Sequence, residues 1–188
     1  MMEPNFSIKT EVERHGYGLF VLEPLEQGYG QTLGNSIRRV LLTSLPGWAI
    51  TSVKIAGVAH QFSTIPGLKE DVVELLLNLK KIRLSVEGSD SITMKLREIG
   101  PGAVVSGDFD VPAGAAIVNP DLVLGTLADK KSQLEIEAVV ERGYGYVTAD
   151  EKKIDEIGVI PLDALYSPVS RVNYRVEATR VGRMTNLD

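Results

Sequence analysis

Cysteine is missing from the sequence altogether. No disulfide can brace the fold and no thiolate can hold a metal, a composition that suits the reducing cytoplasm. Histidine is scarce. His15 and His60 are the only two, and two histidines without cysteine make a poor ligand set for a metal. No apolar run reaches the ~18 residues that a membrane-spanning helix requires. The opening MMEPNFSIKT lacks the apolar centre of a secretory leader. Positive charge is not in excess either: 20 Lys and Arg stand against 25 Asp and Glu, a formal net charge of −5. The broad basic footprint of a nucleic-acid binder is therefore lacking at the level of the whole chain. Neither a G-x-S-x-G elbow nor a P-loop pattern occurs.

What is present is an ordinary globular composition, 44% hydrophobic over 188 residues. That length makes one domain or two small ones and supports a core without covalent staples. Phe6 to Glu13 alternates as a strand does, and Leu19 to Leu22 is a short apolar run. Gly28 and Gly30 precede a helix predicted from about Gln31 to Ser44 and stopped by Pro46-Gly47. A strand is expected over Ala49 to Val58, a loop over His60 to Pro66, and a second helix over Gly67 to Lys81. In that helix Glu70 and Asp71 lie in the first turn and Lys80 and Lys81 in the last, which suits the helix dipole. From Ile82 the period falls to two, through Ile92-Met94-Leu96 and Leu134-Ile136-Ala138-Val140. Val172, Tyr174 and Val176 predict a last strand before the polar ending RVGRMTNLD. The class is α+β with more strand than helix, and its strands are one-sided in the antiparallel manner.

The first helix carries the strongest functional signal. Stepping round it at about 100° per residue puts Leu33, Ile37, Val40, Leu41 and Ser44 on one core-like face. Asn35, Arg38, Arg39 and Leu42 fall on the other. A leucine flanked by two arginines and an asparagine has the composition of a protein–protein hot spot. A solvated face with one stray leucine accounts for the same pattern, and arginine forks also suit phosphate. The glycines before the helix invite a dinucleotide reading, that of a small nucleotide-binding enzyme using Gly28 to Gly34. Their spacing is G-x-G-x-x-x-G rather than G-x-G-x-x-G, and the next strand ends without the acidic residue that would hold a ribose.

The stretch VLEPLEQGYGQTLGNSIRRVLLTSLPGWAITSVKI closely resembles the start of the alpha subunit of bacterial DNA-directed RNA polymerase. HQFSTIPGLKEDVVELLLNLKKI, VERGYGYV, PLDALYSPVSRVNYRVEATRVG and RMTNLD resemble later signatures of that family, in order along nearly the whole chain. The resemblance implies the family's amino-terminal domain in two subdomains. One, residues 1–46 with 168–188, is a discontinuous dimerisation subdomain. The other, residues 47–167, is an inserted, mostly antiparallel β subdomain.

The same resemblance implies a non-catalytic assembly platform within a nucleotidyltransferase. It has no cofactor or metal of its own, no membrane and no direct nucleic-acid contact. Its partners are a second alpha subunit and the two large catalytic subunits, beta and beta-prime. Carried over by motif, Asn35, Arg38, Arg39, Leu42 and Ser44 contact a large subunit, with His60, Phe62, Ser63 and Thr64 of the HQFST loop and Lys80. Asp163, Tyr166, Ser167 and Pro168 face the other large subunit. The stripe Leu33, Ile37, Val40 and Leu41 belongs to the dimer interface. The family's domain resumes after RMTNLD with a strand and a long amphipathic helix that supply much of the dimer contact, so the 188-residue chain is expected to dimerise poorly.

Three further features have a chemical look. His60 reads as a structural or interface histidine rather than a base, since the sequence near it offers no orienting partner. Asp108-Phe109-Asp110 has the form of a metal-binding pair, but its setting between Gly107 and Val111-Pro112 reads as a turn. Arg142-Gly143-Tyr144-Gly145-Tyr146 mixes arginine with aromatics as nucleic-acid binders do and is read as a loop.

Overall fold

The computed structural model describes residues 6–152, 156–181 and 184–187, the last seven of these by backbone alone. The chain divides into two compact units, Met1–Leu42 with Val169–Asp188, and Thr43–Pro168.

In the first unit, β1 (Ser7–Arg14) and β2 (Tyr17–Glu23) form an antiparallel hairpin, bulged between Thr10 and Val12. Helix α1 runs from Tyr29 to Thr43. Among the described residues of this unit only Gly30 is buried. The predicted strand at Val172, Tyr174 and Val176 does not form. Alternation makes a strand only where an edge is free to pair, and Tyr174 is engaged otherwise. Its ring lies against Gly34, 2.4 Å from where a Cβ would stand, and its hydroxyl donates to Gln31 Oε1 at 3.2 Å. The polar ending instead contributes a small antiparallel pair, β13 (Thr179–Val181) and β14 (Met184–Leu187).

The second unit holds the core. Strand β3 (Pro46–Ile55) starts at the residues expected only to stop α1. It pairs antiparallel with β9 (Gln133–Tyr144), which pairs with β5 (Ser91–Ile99); β11 (Val159–Pro161) completes the sheet in the order β11-β3-β9-β5. Leu134, Ile136, Ala138 and Val140 of β9 face inward opposite Met94 and Leu96 of β5, all at most 1% exposed. The period of two in the sequence is thus the alternation of this sheet.

Helix α2 (Val72–Leu79) closes the inner face with Val72, Leu75, Leu76 and Leu79. It begins five residues later than predicted. Gly67 has φ +82°, a left-handed conformation that a helix cannot start from, and the Asp71 carboxylate accepts the Glu74 N–H at 2.6 Å as the N-cap. Glu70, expected inside the helix, turns away and accepts both the backbone N–H (2.6 Å) and the hydroxyl (3.0 Å) of Thr126. Burial pushes the Glu70 carboxyl up, but these bonds outweigh it and the net direction is down.

Short antiparallel ribbons flank the sheet. β4 (Leu84–Val86) pairs with β7 (Ala115–Ile117), β6 (Gly102–Val105) with β8 (Val123–Leu127), and β10 (Tyr146–Val147) with β12 (Ala164–Leu165).

Candidate functional site

Helix α1 buries no side chain. Arg38, Arg39 and Asn35 are exposed, as the helical spacing predicts. The other face departs from its core-like reading. Leu33, Ile37 and Leu41 are only half-buried, and Val40 is 53% exposed. Leu42, expected on the open face, is half-buried, and Ser44 is exposed.

The HQFST loop is built on a turn in which the Ser63 N–H donates to the His60 carbonyl at 3.0 Å. The Ser63 hydroxyl stands 3.3 Å from His60 Nδ1, so the histidine does have a neighbour the sequence reading overlooked. The His60 and Phe62 rings pack with centroids 6.5 Å apart. Phe62 is 76% exposed and Thr64 is exposed, while Ile65 behind them anchors the loop in the core. A phenyl ring held out to solvent by a turn is poor for stability and good for docking.

Lys80 and Asp163, placed by the resemblance on surfaces for two different partners, meet each other. Lys80 Nζ lies 2.8 Å from Asp163 Oδ2, and Asp163 Oδ1 accepts the Ala149 N–H at 2.9 Å. Lys80, then the Ala149 N–H, hold the Asp163 carboxyl below its ordinary range. Lys80 caps the C-terminus of α2, where a cation also meets the negative end of the helix dipole.

Tyr166 and Ser167 are not on an open surface: they are buried, at 5% and 8% exposure. The reason lies in Gly47, expected only to stop α1, and Gly143, expected in a loop. Gly47 and Gly143 face each other across β3 and β9. A Cβ on Gly47 would stand 1.7 Å from the Tyr166 carbonyl oxygen, and one on Gly143 2.6 Å from the Tyr166 ring. The Tyr166 N–H donates to the Gly145 carbonyl at 2.9 Å. Lys152 Nζ bonds Glu141 Oε2 at 2.5 Å and the Tyr166 hydroxyl at 3.3 Å. Lys152, chiefly, keeps the Glu141 carboxyl below its usual range. The stretches PGW, RGYG and DALYSP thus converge on one tyrosine. Gly143-Tyr144-Gly145 and the Pro46-Gly47 dipeptide were the available signal. Pro168 beyond them is exposed.

The chemical-looking motifs take structural parts. Asp108 ends a 3₁₀ turn and its carboxylate accepts the Val105 N–H at 2.8 Å. Asp110 exchanges backbone bonds with Lys95 (2.7 and 3.1 Å), and Phe109 between them is buried. Among the described residues no three His, Cys, Asp or Glu gather as a metal-ligand set, and no helix is long and apolar enough to cross a membrane. Arg142 to Tyr146 is not a loop but the end of β9 and the start of β10. The glycines before α1 follow a strand that belongs to an antiparallel hairpin, and Tyr174 occupies the space beside Gly34. Neither feature belongs to a dinucleotide-binding βαβ unit.

Residues 53–167, most of the second unit, match the family model of the RNA polymerase Rpb3/RpoA insert domain, and the chain belongs to that family. Over its whole length it is 51% identical to the DNA-directed RNA polymerase subunit alpha of Syntrophomonas wolfei subsp. wolfei, covering 60% of that protein. It is 50% identical to the subunit of the same name from Symbiobacterium thermophilum, again over the whole chain and 60% of the relative. With that of Beutenbergia cavernae it shares 50% identity over 97% of the chain and 54% of the relative. The chain thus spans somewhat over half the length of these curated relatives.

Proposed function

We propose that the chain is a non-catalytic assembly subunit of a bacterial DNA-directed RNA polymerase, working in the cytoplasm without a cofactor of its own. Two copies pair through the first unit, with Leu33, Ile37, Val40 and Leu41 at the shared surface, and the pair brings the two large subunits, beta and beta-prime, into register. Asn35, Arg38, Arg39, Leu42 and Ser44, the His60–Phe62–Thr64 loop and Pro168 are the docking residues. The Lys80–Asp163 pair braces the surface from behind as well as touching the partner.

One observation carries this reading. A fifteen-residue amphipathic helix buries none of its side chains within its own chain, in a protein about half identical along its length to alpha subunits. An amphipathic helix obtains most of its stability from packing its apolar stripe. A stripe that the rest of the chain covers only in part, with Val40 53% exposed, is a stripe for a partner.

Co-purification of the tagged chain from its source cell tests it. The expected result is recovery of both large polymerase subunits, identified by mass spectrometry. Recovery of the intact tagged chain without either of them would overturn the reading.

A further inference from the structure

The four-stranded sheet ends on β5, and β5 is long for an edge: Ser91–Ile99, nine residues without proline or glycine. The opposite edge, β11, is three residues long and ends in Pro161. Shortness and proline deny a neighbouring chain a ladder to join. β5 has neither. Lys95 bridges Glu137 of β9 on one side and Asp110 on the other. It exchanges both backbone bonds with Asp110, at 2.7 and 3.1 Å, so its N–H and C=O point away from β9. Backbone groups of alternate residues point the same way. Those of Ser91, Thr93, Arg97 and Ile99 therefore also face outward. Among the described residues, Asp110 makes the only backbone bonds to this edge of β5.

Asp110 is held there by the turn before it. The Asp108 carboxylate accepts the Val105 N–H at 2.8 Å, and the Phe109 N–H donates to the Ser106 carbonyl at 3.3 Å. The Ser106 and Gly107 N–H groups donate to the Leu122 and Pro120 carbonyls at 2.8 and 2.9 Å. Phe109, 5% exposed, anchors the turn in the core. Pro112 follows and has no N–H with which to extend the pairing. The result is a one-residue bridge at the middle of the edge. It leaves Ser91 and Thr93 on one side and Arg97 and Ile99 on the other, stretches too short for another strand to pair with stably. Lys95 and Arg97 deter pairing of like strands through charge; the turn deters it through geometry.

We infer that the Asp108-Phe109-Asp110 turn is an edge guard: seated on Lys95, it keeps β5 from pairing with the β5 of a second copy. A second copy is the partner a bare edge would meet, because it presents the same strand and two such strands pair antiparallel about a two-fold axis. The inference stands apart from the assembly reading.

The test uses the full chain in sedimentation equilibrium. Asp110→Pro removes the N–H that donates to Lys95. Phe109 before it has φ −69° and ψ 129°, a conformation that suits the residue preceding a proline. Phe109→Ser withdraws the anchor instead. Each variant should associate at about tenfold lower concentration than the parent. Adding Thr93→Pro, at an outward-pointing N–H, should return either variant to parental behaviour. Gly143→Ala serves as the control for lost stability alone. Association no stronger than that of the parent, association that Thr93→Pro leaves intact, or equal association by Gly143→Ala at matched melting temperature would each overturn the inference. Hydrogen exchange on the parent decides even where a variant does not fold. The Lys95 amide should exchange about tenfold or more slowly than those of Thr93 and Arg97, and equal rates would overturn the guard.

Discussion

Lys80 Nζ lies 2.8 Å from Asp163 Oδ2, across 83 residues of sequence, and joins the end of α2 to the segment that leads into Tyr166. The Asp163 carboxyl is held below the ordinary aspartate range by that bond first and by the Ala149 N–H second. A carboxyl so depressed contributes stability in full above its unfolded value and loses it as pH falls through the lower folded value. The chain should therefore lose melting temperature as pH drops below about 4. Asp163→Asn should melt lower than the parent at pH 7, and the gap should close as the pH falls below about 4. A constant gap between the two across that range would show that the charge on Asp163 is irrelevant.

Gly143→Ala should destabilise the second unit by about 1–3 kcal/mol, the usual cost of forcing an extra methyl into a packed site. Gly47→Ala should cost more. It meets a backbone oxygen at 1.7 Å where Gly143→Ala meets a ring at 2.6 Å, and a ring can shift more easily than a strand. Urea unfolding measures both. Equal midpoints for the parent and Gly47→Ala would contradict the packing described around Tyr166.

Arg39→Ala should weaken capture of a large subunit by about 2–5 kcal/mol, the typical loss when one partner of an interfacial charged contact is removed. Its melting temperature should stay near that of the parent, because Arg39 is exposed. Pull-downs at matched concentration, paired with thermal unfolding, check this. Full recovery of the subunit by the variant would remove Arg39 from the docking surface.

Asp108→Asn together with Asp110→Asn should leave the elongation rate of a reconstituted polymerase nearly unchanged while lowering the stability of the chain by about 1 kcal/mol through the weakened turn at Val105. A drop of ~100-fold or more in elongation, the scale of a lost acid–base group, would mean that the pair takes part in chemistry.

The periodic parts of the molecule were legible in the sequence. Leu134 to Val140 and Met94 to Leu96 announced a one-sided sheet, and Val72 to Leu79 a buried helix, because burial itself imposes those periods. What stayed hidden depended on which segments meet. Val172-Tyr174-Val176 has the pattern of a strand, yet a pattern cannot reveal that the Tyr174 ring is engaged at Gly34. The start of α2 went to Gly67 because Glu70 and Asp71 both suit a first turn, whereas Asp71 is the cap and Glu70 bonds Thr126. Tyr166 looked like a surface residue because nothing in DALYSP says that Gly47, nearly 120 residues earlier, has been kept bare to receive it. On α1 Asn35, Arg38 and Arg39 are exposed as their spacing predicts, but Val40 and Leu42 exchanged their expected exposures. A helix without a filled core beneath it does not sort its faces cleanly.

The open face of α1 also bears on supply and demand inside the cell. A copy that has not met its partners displays Ile8, Phe20 and Val40, each at least half exposed, and exposed apolar surface of this kind is what chaperones and proteases recognise. Under the proposed assembly that surface is covered, so copies that find no partner are expected to be cleared faster than assembled ones.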